Sequence, residues 1–248
     1  MILDNEINLA IEAAKTSGRL LASNKNELNS AISSSSKDIK LKADIDSEKL
    51  IKEIILSNSN FPILAEESGK SIEDLGESFW VVDPLDGTAN YNRDIPICCV
   101  SIGFVHNMKP VAGIIYDLNN DDLYVGDTFT GIAKVNDANV SVSKINQKKE
   151  GIILSGLPHG TNYSEDSLKE MINNMQSWKK IRMIGSAAMA SCYVASGKAE
   201  CYKENGTYFW DIVAGAAIVE SAGGKAEIIN VRENYQVDVI FSNAKIKD

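Results

Sequence analysis

The sequence predicts a layered α/β protein with an antiparallel component. Three observations carry that prediction. Residues 97–136 hold consecutive strand-type runs separated by turn residues. Segments of helical period stand before and after them, near residues 2–23 and 210–221. The chain also has 248 residues and 44% hydrophobic content, enough to bury the core of one large domain or two tightly joined halves.

Leu3, Ile7, Ala10, Ala14 and Leu21 recur at helical spacing, so residues 2–23 read as an amphipathic helix. The polar, Ser-rich stretch from Asn29 to Lys37 reads as a mobile loop. Asp46 and Ser47 begin a second helix and offer its cap, with Leu50, Ile51, Ile54 and Ile55 as its apolar face. Phe61 to Ala65 is a short buried strand ending at Glu66 and Glu67, and Trp80-Val81-Val82 is a second buried run ending at Asp83. Ile97–Val105, Val111–Tyr116 and Leu123–Val125 are strands. Asp117 to Asp121 resembles the start of a calcium loop, but Asp122 stands where such a loop needs Gly and Thr128 where it needs Glu. A hairpin turn is the reading for that segment. Ile152–Leu154 is a strand, and residues 164–177 and Ala187–Ser196 are helices. Trp210–Ser221 is apolar all round, hence a buried helix, and Gly223-Gly224 stops it. Val237–Phe241 is the terminal strand.

Charge and composition narrow the function. A net charge of −9 argues against nucleic-acid binding through a basic surface. An acidic protein that handles phosphates needs local compensation, and bound cations are one way to provide it. Cys98, Cys99, Cys192 and Cys201 form no C-x-x-C pair, and with two histidines a zinc site is disfavoured. Asp4, Glu6 and Glu12 exclude a signal peptide over residues 1–22, and no apolar run is long enough for a membrane span. The expectation is a cytoplasmic protein with no membrane partner. The sequons at Asn139, Asn162 and Asn205 carry no meaning in that setting.

The chemistry concentrates in Trp80-Val-Val-Asp-Pro-Leu-Asp-Gly-Thr-Ala-Asn90. Two acids three residues apart at a strand end meet a Gly-Thr turn, where free backbone N–H groups gather. Carboxylates attract hard cations and free N–H groups attract phosphate oxygens. The phosphatases that phosphorylate an aspartate use Asp-x-Asp-Gly-Thr, and the Asp83–Asp86 spacing does not match it. Asp-Pro-Leu-Asp suits two carboxylates on neighbouring cations, with the Leu85 carbonyl as a further oxygen ligand. Other acids have bland readings beside functional ones. Asp46 reads as a helix cap, Asp211 equally as a cap or a ligand, and Glu67 as a surface or hydrogen-bonding residue. Asp83 at the mouth of a buried strand costs desolvation unless something pairs with it.

From Asp44 to Gly224 the chain resembles the inositol monophosphatase family, in the superfamily that includes fructose-1,6-bisphosphatases and 3′(2′),5′-bisphosphate nucleotidases. The motifs that carry the resemblance are Ile63–Gly69, Trp80–Asn90, Gly185-Ser-Ala-Ala188 and Trp210–Gly215, in that order. It implies an α-β-α-β-α layered fold in one domain, 1–248, with sub-lobes of about 1–145 (α+β, metal-binding) and about 146–248 (α/β). It implies a Mg²⁺-dependent phosphomonoesterase with two or three ions, a small phosphorylated metabolite as substrate, and a homodimer. By resemblance, Glu66, Asp83 and the Leu85 carbonyl would bind one Mg²⁺. Asp83, Asp86 and Asp211 would bind the second, and Glu66 would also reach a weaker third. Asp44 would accept a hydrogen bond from Thr88, and this pair would orient the attacking water. Gly87 and Thr88 N–H groups would hold phosphate oxygens, while Glu67 would support the site from beside the ligands. Gly185, Ser186 and Ala187 would line the sugar or inositol pocket, and Glu204 would accept from a substrate hydroxyl unless it is a solvated loop carboxylate.

Gly206-Thr207 stands where nucleotidases of the superfamily tend to carry Pro-Thr, which favours a polyol or sugar phosphate over a bisphosphate nucleotide. Fructose-1,6-bisphosphate and, from another class, a non-catalytic regulatory role are the alternatives. The resemblance departs at Ala43, where relatives often have Thr, and in residues 30–36, which lack a loop lysine although Lys37 and Lys40 are near.

Overall fold

In the computed structural model, which describes residues 3–34, 39–157 and 164–246, the first helix is the one the apolar spacing predicts. Helix α1 (Asp4–Ser23) buries Ala10, Ala13, Ala14 and Leu21 on one face. After the short α2 (Lys25–Leu28) the Ser-rich stretch departs from expectation. Strands β1 (Ala31–Ser34) and β2 (Ile39–Leu41) pair antiparallel, so Ala31–Ser34 of the expected loop is a strand. Ala31, Ile32 and Ser33 are all exposed while Leu41 of β2 is buried, so it is the first strand that leaves no alternating pattern to read. Residues 35–37 of that stretch, Lys37 among them, and Asn162 lie outside the described residues.

Helix α3 (Lys42–Asn58) starts four residues before the predicted Asp46. Asp44 and Asp46, expected ahead of this helix, both lie within it. Asp44 closes the first turn by accepting the Leu41 N–H at 2.5 Å, as a carboxylate in the third helical position does. Asp46 pairs instead with Lys42 at 2.9 Å, and Ser47 is buried.

Strands β3 (Ile63–Ala65), β4 (Gly69–Lys70) and β5 (Ser78–Asp86) precede the short helix α4 (Thr88–Asn92). An antiparallel run follows, β6 (Cys99–His106), β7 (Lys109–Asp117), β8 (Asp122–Asp127), β9 (Ile132–Val135) and β10 (Ala138–Val140). These form one sheet in the order β10-β9-β8-β7-β6-β5-β3-β4, parallel at β3–β5. The β7–β8 connection is the predicted hairpin turn, with Asp117 Oδ1 accepting the Asn119 N–H at 2.9 Å.

The second half holds β11 (Ile152–Ser155), α5 (Glu165–Gln176), β12 (Lys180–Arg182), α6 (Ala187–Ala195), β13 (Cys201–Tyr208), α7 (Phe209–Ser221), β14 (Lys225–Ile229) and β15 (Gln236–Ser242). Its sheet runs β12-β11-β13-β15-β14. The sequence reading has neither β13 nor β14. Polar Lys203-Glu204-Asn205 hides the first, which takes its pairing from β11 and β15.

The layers are α1 with α3, the larger sheet, α6 with α7, the smaller sheet, and α5. Side chains of α6 and α7 form one core with residues of both sheets, such as Val81, Ile115, Tyr202 and Phe241. A second core joins α1 and α3 to the other face of the larger sheet through Trp80, Ile102 and Phe104. Trp178, just after α5, packs on Ile153 and Cys201. No helix among the described residues is long and apolar enough to cross a membrane.

Helix α7 sits unusually close to the larger sheet. Gly103, Gly113 and Gly126 lie in register across β6, β7 and β8. A Cβ on Gly113 would stand 2.0 Å from the Ala214 carbonyl oxygen, and one on Gly126 would stand 2.5 Å from Ile218 Cα. The helix rests on backbone rather than on side chains. Gly223, at φ +83°, lets the chain leave α7 in the left-handed conformation.

Candidate active site

The site is built around an irregularity in β5. On a flat strand Asp83 and Asp86, three residues apart, would point to opposite faces of the sheet. The β5–β6 register shifts between them, so Asp83 opposes Ser101 while Asp86 opposes Cys99. Ser101 and Cys99 are two residues apart and share a face, so the bulge brings both aspartates to that face. Pro84, which has no N–H for the ladder, sits in the bulge. The buried Ser47 hydroxyl donates to the Pro84 carbonyl at 2.7 Å, and Ser17 lies 2.6 Å from Ser47. Helices α1 and α3 thereby hold the kink from behind.

Each acid has its own support. Asp86 Oδ2 accepts from the Ser186 hydroxyl at 2.5 Å and from the Ala188 N–H at 2.7 Å, at the start of α6, where the helix end is positive. Asp211, in the first turn of α7, accepts from the Thr207 hydroxyl at 2.7 Å and the Tyr208 N–H at 2.9 Å. It is thus a helix-capping residue whose carboxylate also faces the cluster, where Asp86 repels it. Glu66 follows β3, and its carboxyl shares a hydrogen bond with that of Asp83. Thr88 Oγ1 lies 3.0 Å from Asp44 Oδ1 and 3.0 Å from the Leu85 carbonyl, so its hydroxyl can serve either acceptor. Gly87 begins α4 at φ +88°, and a Cβ there would meet the Ile97 carbonyl at 2.8 Å, so both conformation and space demand glycine.

Electrostatics follow from that crowding. Burial raises Asp44 to about 6, against the lowering effect of its hydrogen bonds from Leu41 and Thr88. Burial, then repulsion by Asp86, raises Asp211 to about 7. Glu66 and Asp83 are pushed well above the carboxylate range by burial and by neighbouring acids. Burial also raises Asp86, against its bonds from Ser186 and Ala188. Acids driven up in this way stay ionised at neutral pH only beside positive charge. As placed, no three of the described His, Cys, Asp or Glu side chains close a ligand cage. The donor set, all carboxylate and carbonyl oxygen around one kinked strand, nonetheless has the chemistry a hard divalent cation requires.

Glu67 turns to Lys40, with which it forms an ion pair, and its N–H donates to Glu48 at 2.8 Å. Of the three residues expected to line a substrate pocket, Gly185 is exposed and Ala187 half-buried, while Ser186 is buried and turned inward to Asp86. Asn90 ties this segment to α4 by donating to the Ile184 carbonyl at 2.8 Å. Glu204 belongs to a strand, not a loop. It accepts from the Tyr202 hydroxyl at 2.9 Å and lines a cavity of about 170 Å³ with Gly156, Met171 and Asn205. Its charge also acts on Asp211. Lys40, Ser47 and Thr207 were named in the sequence reading, but not for the contacts they make here with Glu67, Pro84 and Asp211. Thr207 lies one residue ahead of the N-cap Tyr208 and four before Asp211, outside the three-residue capping-box spacing, and the others depend on distant contacts.

The model of the inositol monophosphatase family matches residues 2–243. The inositol-1-monophosphatase of Mesorhizobium japonicum is 33% identical over 222 residues, covering 88% of this chain and 83% of that protein. The Nus factor SuhB of Xylella fastidiosa is 33% identical over 222 residues, covering 88% and 80%. Among solved structures, inositol monophosphatase from Anabaena superposes with a TM-score of 0.83 at 31% identity, over 97% of this chain and 91% of that one. With its motifs gathered around one kinked strand and its layers shared with these structures, the chain belongs to the inositol monophosphatase family of phosphoric monoester hydrolases.

Proposed function

We propose that the chain hydrolyses a small polyol or sugar monophosphate with Mg²⁺ ions held by Glu66, Asp83, the Leu85 carbonyl, Asp86 and Asp211. The observation that carries this reading is the bulge at Pro84-Leu85, which turns two acids of one strand to the same face beside two more from β3 and α7. Bound there, Mg²⁺ supplies an acidified water nucleophile and neutralises charge on the phosphate and its leaving oxygen. The chain's own residues supply the geometry. Thr88, backed by Asp44, holds and orients the attacking water, and Asp44 is placed to take up a proton through the Thr88 hydroxyl. The N–H groups of Gly87 and Thr88 face the phosphate oxygens. Ser186 and Thr207 fix the rotamers of Asp86 and Asp211. Glu204, on the strand that leads into α7, accepts from a hydroxyl of the polyol.

Relatives named Nus factor favour a second reading, a regulatory binding protein without chemistry. Retention of Glu66, Asp83, Asp86, Asp211, Asp44 and Thr88 supports the catalytic one. Phosphate release with Mg²⁺ across inositol phosphates, sugar phosphates, fructose-1,6-bisphosphate and 3′-phosphoadenosine 5′-phosphate tests it. Turnover of a polyol or sugar monophosphate is expected, lost in Asp83→Asn with unchanged circular dichroism. Full turnover by Asp83→Asn at saturating Mg²⁺ overturns the ligand assignment.

A further inference from the structure

We propose that Lys40 is a built-in cation of this site, one that weakens its hold on divalent ions and strengthens its hold on phosphate. The proposal rests on the reading of the site as a metal-dependent phosphatase. Three observations support it. Lys40 is half-buried on β2, and its ammonium is paired with Glu67, the residue next to Glu66. Asp44 and Glu48 also raise its pKa, so its charge lies within reach of the acids of the site although a third of the side chain is exposed. The acids around it are held in place: Glu48 is buried and accepts the Glu67 N–H at 2.8 Å, and Lys52 lies 3.9 Å from Glu48 on the far side. The Glu67 backbone is thereby held against Glu48, and its carboxylate, 11% exposed, is answered by the Lys40 ammonium.

A fixed monovalent cation beside a site that binds both Mg²⁺ and phosphate acts on the two ligands with opposite sign. It repels the divalent ion and attracts the anion. Without Lys40, Glu67 would add an uncompensated negative charge next to Glu66. Divalent ions would then bind more tightly to the free protein, and phosphate more weakly to the metal-loaded one. A residue that merely props the hairpin against the site would not separate the two ligands in this way; its loss would weaken both or neither.

The experiment uses the full chain, stripped of metal. Calorimetric titration with Mn²⁺, without substrate, reads cation affinity. Competitive inhibition by inorganic phosphate at saturating Mg²⁺ reads anion affinity. Lys40→Met should tighten Mn²⁺ and weaken phosphate, each by roughly three- to tenfold, the range of one partly screened charge acting on a multivalent ion. Glu67→Gln should move both constants the other way. The double variant Lys40→Met/Glu67→Gln should return both towards wild type, and Lys40→Arg should leave both in place. Weakening of both ligands by Lys40→Met, or movement of neither while the wild type binds Mn²⁺ and releases phosphate, overturns the role of Lys40 alone. A wild type that neither binds Mn²⁺ nor hydrolyses any phosphate ester overturns the function reading, and this proposal with it.

Discussion

Replacing Thr88 with valine removes one hydroxyl and keeps the shape of the side chain. The hydroxyl lies 3.0 Å from Asp44 Oδ1, and Asp44 is 1% exposed, so no bulk water replaces the lost donor. The other Asp44 oxygen is already engaged by the Leu41 N–H. A hydrogen bond to a charged group contributes about 1.5–3 kcal/mol, so its loss alone lowers turnover about ten- to a hundredfold if it is made in the transition state. Loss of the group that orients the nucleophile adds to this, for a total of about 10²–10⁴ in kcat, with KM little changed. The same bond also lowers the pKa of Asp44, which stands at about 6 with it in place. Removing it moves the acid limb of the kcat profile upward by about one to two pH units. Steady-state kinetics from pH 5 to 9 with saturating Mg²⁺ measure both effects. Thr88→Ser, which keeps the hydroxyl, should retain most activity and the original limb. A Thr88→Val enzyme with near wild-type kcat and an unmoved acid limb would refute the assignment of this pair to the reacting water.

Other expectations are independent of that one. Glu204→Gln should raise KM for the true substrate and leave Mn²⁺ affinity unchanged by calorimetry; unchanged kinetics would make Glu204 a bystander. Asp44 and Asp211, raised to about 6 and about 7, favour the fold in their protonated forms. The stability they contribute is present at acidic pH and is lost as pH rises through those values. Melting in EDTA should therefore give a midpoint that rises as pH falls from 8 towards 6, and saturating Mg²⁺ should remove or reverse that trend. Gly113→Ala should destabilise the fold by about 1–3 kcal/mol or more, because its new methyl group meets the Ala214 carbonyl of α7. Urea unfolding measures that loss.

Much of the fold was legible because its elements follow the two simple periods. The apolar face of α1, the all-round apolar α7 and the strands of 97–136 each match a pattern that burial imposes. The acids of the site were legible as residues, but the means of bringing them together was not. The register shift that puts Asp83 and Asp86 on one face is a property of two strands, signalled in one of them only by Pro84. The start of α3 was misplaced because its stabilising carboxylate, Asp44, lies inside the helix rather than ahead of it. The β1 strand was missed because Ala31, Ile32 and Ser33 are exposed and show no alternation, and β13 because polar side chains occupy a strand whose partners, β11 and β15, are remote in sequence. Lys40 and Ser47 were read only locally, as a lysine near the loop and as a helix cap; their contacts at the site come from Glu67 and from Pro84, 27 and 37 residues away.

The row formed by Gly103, Gly113 and Gly126 limits how this protein can diverge. Since α7 lies on main chain there, the span between Asp211 and Asp83 is set by peptide thickness and not by side-chain volume. A large residue elsewhere in the core can be offset by a smaller neighbour. A methyl group at Gly113 or Gly126 has no such remedy, because the atoms it strikes, the Ala214 carbonyl oxygen and Ile218 Cα, are backbone that no substitution can trim. Sequence drift is therefore blocked at the two positions beneath the helix backbone, and a randomised library should recover only glycine at 113 and 126, whereas at 103 a small residue is open to rescue by a smaller side chain in place of Val213.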